Sequence, residues 1–326
     1  MRLHVVEKRP IPKVATVVWA ATIIALIGGL YAGYSIRTSN IFGTHMVLGM
    51  TAPPQVPPPP APYSFPDGGQ TLANTYRFVA LYGTPGSPVL GALGDQSLPD
   101  SIARVKQLAD QYAQLSPAPV MPTFEIIATI ASSTPTDNDD YSSELPVSEL
   151  QPWVSAAQAA GVYVVLDLQP GRSNFLTQAK EYQSLLEQPN VGLALDPEWR
   201  LTPDQVPLVQ IGSVSIDEVN SVVTWLAALT KANHLPQKLL VLHQFRLSML
   251  PDRNQLNTSE PNLAYVIQMD GQGSQPEKQS TWQAITTSPP SNVNFGWKNF
   301  YAKDTPMLDP AATMQVSPQP WYISYQ

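Results

Sequence analysis

The sequence contains no cysteine among its 326 residues. That absence excludes a disulfide framework, a thiol nucleophile, cysteine-ligated zinc and a lipid-modified N-terminal cysteine. Charge is also scarce, because only 13% of the residues are charged and acidic residues outnumber basic ones, which gives a formal net charge of −7. A surface that binds nucleic acid needs a basic stripe, so this balance argues against nucleic acid as a partner.

The N-terminal part of the chain predicts a membrane anchor. Basic side chains occur in residues 1–13, and the uncharged apolar segment Val14–Tyr34 follows them. A helix of this length spans about 30 Å, the thickness of a hydrocarbon core. We therefore expect a cytoplasmic tail at residues 1–13, a transmembrane anchor at 14–35 and an extracytoplasmic remainder. A cleaved signal peptide is the alternative, but its apolar core spans only about 7–15 residues, and no A-x-A site follows here.

Residues 36–69 form a predicted extracytoplasmic linker. Its second part, Thr51–Gly69, is dense in proline, which favours an extended polyproline II conformation of about 3.1 Å per residue. An SH3-type ligand is one use of such a segment. Outside a membrane, a stalk that holds the domain at residues 70–326 away from the bilayer is the use we expect.

After the linker, short apolar runs alternate with helical patterns, as in an α/β fold. Strands are predicted at 76–83, 122–131, 162–169, 191–195, 211–214, 238–245, 263–270 and 292–297. Helices are predicted at 100–115, 148–161, 173–188 and 215–232. Asp100 is the expected N-cap of the first helix, Gly161 ends the second, and Ser215 with Glu218 has the spacing of a capping box.

This alternation predicts a closed (β/α)8 TIM barrel. An open doubly wound sheet is the alternative. Neither G-x-G-x-x-G nor G-x-x-x-x-G-K-[ST] follows the first predicted strand, so the sequence does not support a nucleotide-binding version of either fold.

Polar side chains stand at the predicted strand ends, where catalytic groups of a TIM barrel are found. They are Asp167 and Gln169, Asp196 and Glu198, His243 and Gln244, Gln268 and Asp270, and Trp297, Lys298 and Asn299. Asp167 and Gln169, like Asp196 and Glu198, are two residues apart, so both members of a pair project to the same side of a strand.

Carboxylates that converge repel each other's ionisation and separate into an acid and a base, as glycoside hydrolysis requires. We predict Glu198 as the general acid, with Asp196 and Asp167 as partner carboxylates. The other predicted site residues contact substrate, and Trp199, Trp282 and Trp297 are expected at the rim, where they stack on sugar rings. The predicted substrate-binding residues are Trp199, His243, Gln244, Asp270, Trp297 and Lys298. No metal and no cofactor are predicted.

Each of these residues also has a structural interpretation. The DPEW segment could simply form a polar turn. Glu125 fits a buried ion pair with Arg77, and Lys298 fits a salt bridge to Asp270. His243 could be a hydrogen-bonded barrel residue, and Trp153 and Trp225 fall on apolar helix faces. The combination still favours a site, because an inert barrel has no need of acidic groups on several strand ends.

The anchor, the proline-rich linker and the segments VVLDLQPG, LALDPEW, VLHQF and GWKNFY resemble a family of actinobacterial cell-surface proteins. The resemblance covers Thr75 to Gln326 and implies a glycoside-hydrolase-like barrel at the cell envelope. It implies no particular activity and no catalytic residue. The chain lacks the D-x-x-D-x-D-x-E strand of chitinase-like barrels, since VGLALDPEW matches only its final D-x-E.

Three functional hypotheses follow from the sequence. The first is a membrane-anchored enzyme that cleaves a cell-wall carbohydrate by carboxylate acid–base catalysis. The second is a degenerate barrel that binds glycan without cleaving it. The third is a metal-dependent hydrolase that uses His243 with Asp196, Asp270 or Asp167. The single site histidine weakens the third, because hydrolytic zinc sites usually gather two or three, although carboxylate binding of Mg²⁺ or Ca²⁺ stays open.

Overall fold

The computed structural model describes residues 64–66 and 68–326. The predicted tail, anchor and most of the predicted linker lie outside the described residues. Within the described part of the chain, no helix combines the length and apolarity needed to cross a membrane.

The described residues form nine strands and seven α-helices, joined in places by short 3₁₀ turns. The strands are β1 (Arg77–Gly83), β2 (Val120–Ala131), β3 (Ser142–Glu144), β4 (Tyr163–Leu168), β5 (Val191–Leu195), β6 (Lys238–His243), β7 (Leu263–Met269), β8 (Val293–Asn299) and β9 (Tyr322–Tyr325). The helices are α1 (Leu98–Ala113), α2 (Val147–Ala160), α3 (Phe175–Glu181), α4 (Gln183–Leu186), α5 (Ile216–Ala232), α6 (Gln275–Thr286) and α7 (Pro310–Thr313).

Eight of the strands form a closed parallel barrel, which confirms the predicted fold. The order around the ring is β1, β2, β4, β5, β6, β7, β8 and β9, and β9 pairs in parallel with β1 to close it. The remaining strand, β3, pairs antiparallel with the end of β2 and lies outside the ring. All eight ring strands therefore direct their carboxyl ends to one mouth of the barrel.

The barrel separates an inner core from an outer one, because successive side chains of a strand point to opposite faces. Phe78, Val165, Val241 and Val266 come from four different strands and pack in one buried cluster, which only the barrel interior can hold. The alternate residues of the strands pack against the helices in a larger cluster. Trp153 and Trp225 pack against that outer cluster, as predicted.

The amino end of the barrel is closed by the segment that precedes β1. Phe65 and Leu72 are buried and join the inner cluster. The Gln237 carboxamide, next to β6, accepts hydrogen bonds from the backbone N–H groups of Leu72 and Ala73 at 2.7 and 2.9 Å. Access to the barrel interior is therefore restricted to the carboxyl-end mouth.

One strand prediction is wrong, and one ring strand was not predicted. Residues 211–214 form no strand, and their backbone instead lies along the turn after β5, where Gly212 N–H donates to the Glu198 carbonyl at 2.7 Å. The strand that completes the ring is Tyr322–Tyr325, which sequence inspection missed. Segments of four residues, such as 211–214 and Tyr322–Tyr325, are too short to give a strong periodic signal.

The predicted helix ends are largely confirmed. Ser215 caps α5 by accepting from the N–H of Glu218, and Gly161 ends α2 in the left-handed conformation. The assignment of Asp100 as the N-cap of α1 is wrong. Ser97 is the N-cap and accepts from the N–H of Asp100, which lies inside the first turn.

Candidate active site

The barrel mouth gathers ionisable side chains from five ring strands. Asp167, His243 and Lys298 stand on β4, β6 and β8, and Asp196 and Asp270 directly follow β5 and β7. The side chains of all five are at least nine-tenths buried. The structure therefore places these five polar strand-end residues at one mouth of the barrel.

A chain of alternating charges runs across the interior of the barrel. The Lys298 ammonium lies 3.7 Å from Asp270 Oδ2, and the same oxygen lies 3.1 Å from His243 Nδ1. His243 Nε2 lies 2.7 Å from Glu125 Oε1, and the other oxygen of Glu125 accepts from the Tyr322 hydroxyl at 3.1 Å. Both nitrogens of the imidazole therefore face carboxylates.

The surroundings of His243 favour its imidazolium form. Burial by itself would lower its pKa. The negative charge of Asp167 and the hydrogen bonds to Asp270 and Glu125 outweigh burial and raise the pKa well above its usual range. An imidazolium donates from both nitrogens, which matches two carboxylate partners.

Asp167 and Asp196 are carboxyls whose pKa values are raised. Burial is the largest cause and raises the pKa of both groups, that of Asp196 well above its usual range, although the charge of His243 acts in the opposite direction on each. Asp167 Oδ2 accepts from the Tyr82 hydroxyl at 2.9 Å, whereas its Oδ1 is buried and has no hydrogen-bond partner among the described residues. A protonated carboxyl tolerates that position better than a carboxylate, because burial of uncompensated charge is costly.

The pKa of Asp270 is shifted in the opposite direction. Burial would raise its pKa, but the hydrogen bond from His243 and the charges of Lys298 and His243 lower it. The mouth therefore contains one carboxyl whose pKa is lowered beside two whose pKa values are raised.

Glu198 lies at the edge of this cluster and is only half-buried. It belongs to a short 3₁₀ turn, Pro197–Trp199, which Asp196 caps by accepting from the Glu198 N–H at 3.1 Å. Burial and the charge of Asp270 raise the pKa of Glu198 to about 7, against the opposing charges of Lys298, His243 and Arg246. A carboxyl in that state can give or take a proton near neutral pH.

The ligand atoms of Asp167, Asp196 and His243 lie within 4.8 Å of one another, close enough for a shared metal ion. The donor chemistry does not suit one. Metal binding requires deprotonated ligands, but His243 engages carboxylates through both nitrogens, and burial raises the pKa values of Asp167 and Asp196. A cation here would have to displace the hydrogen bonds of His243.

Two of the predicted rim tryptophans are misplaced. Trp282 and Trp297 are 1% and 0% exposed and pack edge-to-face against each other with ring centroids 5.5 Å apart. The reason is strand periodicity: Lys298 points into the barrel, so Trp297 points outward against α6. Trp199, in contrast, is half-buried beside Glu198 and remains a candidate for stacking on a sugar ring.

The ion pair expected between Glu125 and Arg77 is not formed. Glu125 bonds to His243 and Tyr322 inside the barrel, while Arg77 donates to the Pro320 carbonyl, Ser116 and Gln319. The salt bridge between Lys298 and Asp270 is confirmed. Gln244 is buried, and its side-chain oxygen accepts from Arg253 at 2.9 Å, while its side-chain nitrogen has no hydrogen-bond partner among the described residues.

Sequence inspection missed two tyrosines of the site. Tyr82 lies at the end of β1, bonds to Asp167 and has the Lys298 ammonium 3.3 Å from its ring centroid. Tyr322 lies on β9, which was not predicted. Tyr82 was recognisable in the sequence, because it points inward at the carboxyl end of a predicted strand. No local pattern in the sequence marked Tyr322.

Comparison of the chain with models of known protein families finds no match, and comparison with curated proteins finds none either.

Proposed function

We propose that the barrel hydrolyses a glycosidic bond by carboxylate acid–base catalysis, with Glu198 as the general acid. The observation that supports this most is the state of Glu198. It is a partly exposed carboxyl at the mouth whose pKa is raised to about 7, beside carboxyls whose pKa values are shifted in opposite directions. Paired carboxyls whose environments separate their pKa values are the usual acid–base arrangement of such enzymes.

In the proposed reaction Glu198 gives its proton to the glycosidic oxygen as the bond from that oxygen to the anomeric carbon breaks. A water molecule supplies the hydroxyl that replaces the leaving alcohol, and the second proton of that water returns to a site carboxylate. Asp196 and Asp167 support Glu198 as neighbouring carboxyls whose pKa values are raised. Trp199 supplies the aromatic face for the sugar.

We propose a cell-envelope carbohydrate as the substrate and a position on the outer side of the membrane, with Val14–Tyr34 as the anchor. Three features of the sequence support this proposal: the basic residues before that segment, its uncharged length, and the proline-rich linker after it. Protease added to intact cells is expected to digest the barrel domain. Protection of the domain until the cells are lysed would show that the orientation is reversed.

The direct test of the activity is the release of new reducing ends from purified cell-wall polysaccharides by the full-length protein. We expect release that is unchanged in EDTA, because the carboxyl chemistry proposed here needs no metal. Loss of activity in EDTA, restored by a divalent cation, would favour the metal-dependent alternative. No release from any envelope polysaccharide would contradict the proposal.

Binding without cleavage is the second candidate, and the burial of Asp167 favours it. Asp167 is 0% exposed and Asp196 is 2% exposed, so neither contacts a ligand in this conformation. A glycan that binds the protein but is recovered intact would support this second function.

A further inference from the structure

Acid–base hydrolysis of a glycoside needs a carboxylate that stays ionised, because positive charge develops on the sugar ring. Asp270 has the surroundings that such a group requires. Its Oδ2 lies between the two buried cations, 3.1 Å from His243 Nδ1 and 3.7 Å from Lys298 Nζ. These contacts come from β6 and β8, the two ring strands that flank β7.

Asp167 and Asp196 lack such a pair of contacts. The partner of Asp167 is the Tyr82 hydroxyl, which is a neutral donor. Asp196 accepts from the backbone N–H of Glu198 and lies 3.8 Å from His243 Nδ1, a nitrogen already bonded to Asp270. Of these three aspartates, Asp270 alone has two cations beside one oxygen.

The second oxygen of Asp270 is also unusual. Asp270 Oδ1 is buried and makes no hydrogen bond among the described residues. Because this oxygen is buried, it acts on a cationic centre at the mouth through its charge and not by contact. Its position near Glu198 is supported by electrostatics, because among neighbouring charges Asp270 has the largest effect on the pKa of Glu198.

We infer that Asp270 is the ionised carboxylate that works with Glu198 in the proposed hydrolysis, and that Lys298 and His243 are positioning residues that hold it ionised. This inference rests on the proposed function and changes the partner of Glu198 from Asp196 and Asp167 to Asp270. Asp270 stabilises the positive charge that develops at the anomeric carbon while Glu198 protonates the leaving oxygen.

The groups that face Asp270 come from every neighbouring element. His243 and Lys298 contact it directly. Asp196 and Glu198, after β5, are influenced by its negative charge, and so is Lys278 on α6. The two direct contacts are both with cations, so removal of either cation should make Asp270 easier to protonate.

The first test is a titration of the full-length protein labelled with ¹³C at aspartate carboxyls, with each signal assigned from the matching Asp→Asn variant. We expect Asp270 to remain ionised at a lower pH than Asp167 and Asp196. Lys298→Met should raise the pH at the midpoint of the Asp270 titration, and Lys298→Arg should return that midpoint to its original pH. Lys303→Met, which removes an exposed lysine from the loop after β8, is the matched control and should leave it unchanged.

The inference is overturned if Asp270 protonates together with Asp167 and Asp196, a result that needs no variant of Lys298 and so does not depend on whether that variant folds. An unchanged midpoint in a folded Lys298→Met would remove the positioning role. These readouts do not use activity, so they also stand if no polysaccharide is cleaved and the proposed function fails.

The second test uses turnover of a confirmed glycan. Asp270→Ala should lower turnover by about 10²–10³-fold, the usual loss when electrostatic stabilisation of a transition state is removed. Added formate should restore part of it by supplying a carboxylate in the space left. Rescue of Asp196→Ala by formate, with none for Asp270→Ala, would overturn the assignment in favour of Asp196.

Discussion

Replacing Glu198 with glutamine is expected to lower turnover by about 10²–10⁴-fold, the usual contribution of a general acid. Glutamine keeps the shape of the side chain but has no proton to give. Stability should change little, because no hydrogen bond among the described residues uses the Glu198 carboxyl, and the contacts of its backbone with Asp196 and Gly212 are retained. Initial rates and the melting temperature of the same preparation give both quantities.

The pH profile provides an independent check of the same role. A general acid works in its protonated form, and the pKa of Glu198 is raised to about 7. Activity should therefore be present below pH 7 and fall as the pH rises through that value. Glu149→Gln, which changes an exposed glutamate on α2, should keep both the rate and the profile. A Glu198→Gln protein that is less stable but turns over at the wild-type rate would show that the residue is structural.

Lys278→Met is expected to destabilise the barrel by about 3–5 kcal/mol, the usual cost of breaking a buried ion pair by removing one partner. The ammonium of Lys278 on α6 contacts Asp304 Oδ2, and both side chains are 0% exposed. It also donates to the Lys298 carbonyl at 2.6 Å. Removing Lys278 leaves the buried Asp304 carboxylate without its cation, and chemical unfolding of the full-length protein measures the loss.

A double-mutant cycle separates the charge from packing. Asp304 accepts from the Phe300 N–H at 2.9 Å, and asparagine at this position retains an acceptor for it. The double variant Lys278→Met with Asp304→Asn should therefore lose less stability than the two single variants added together. Lys303→Met controls for the loss of an exposed lysine. If the free energy of unfolding of Lys278→Met lies within about 1 kcal/mol of the wild-type value, the buried ion pair is no stronger than an exposed one.

Much of the fold was predictable because a parallel barrel repeats one pattern. Strands that are buried on both faces are continuous apolar runs. The predicted limits of one such strand, Val191–Leu195, match the structure. The closing strand, Tyr322–Tyr325, was not predictable from such a run. Its four residues are recognisable as a strand only through their pairing with β1 and β8, which is a property of the assembled ring.

The site was predictable to the extent that it follows from strand direction. Asp167, Asp196, His243, Asp270 and Lys298 converge because all eight ring strands end at one mouth. The partners of these groups were not predictable, because they depend on register around the ring. Glu125 lies opposite Tyr82 on the neighbouring strand but bonds across the barrel to His243, and no spacing in the sequence records that contact.

The position of β9 in the chain determines when the barrel can exist. Its neighbours in the ring are β1 and β8, which begin at Arg77 and Val293, so closure joins segments made near the start and the end of domain synthesis. Until residue 325 has left the ribosome, β1 and β8 present open edges, and open edges invite pairing with other chains. The mouth takes its final form only at that moment, since Tyr322 completes the contacts of Glu125. The nascent chain therefore has no complete site until β9 is free to pair with β1 and β8.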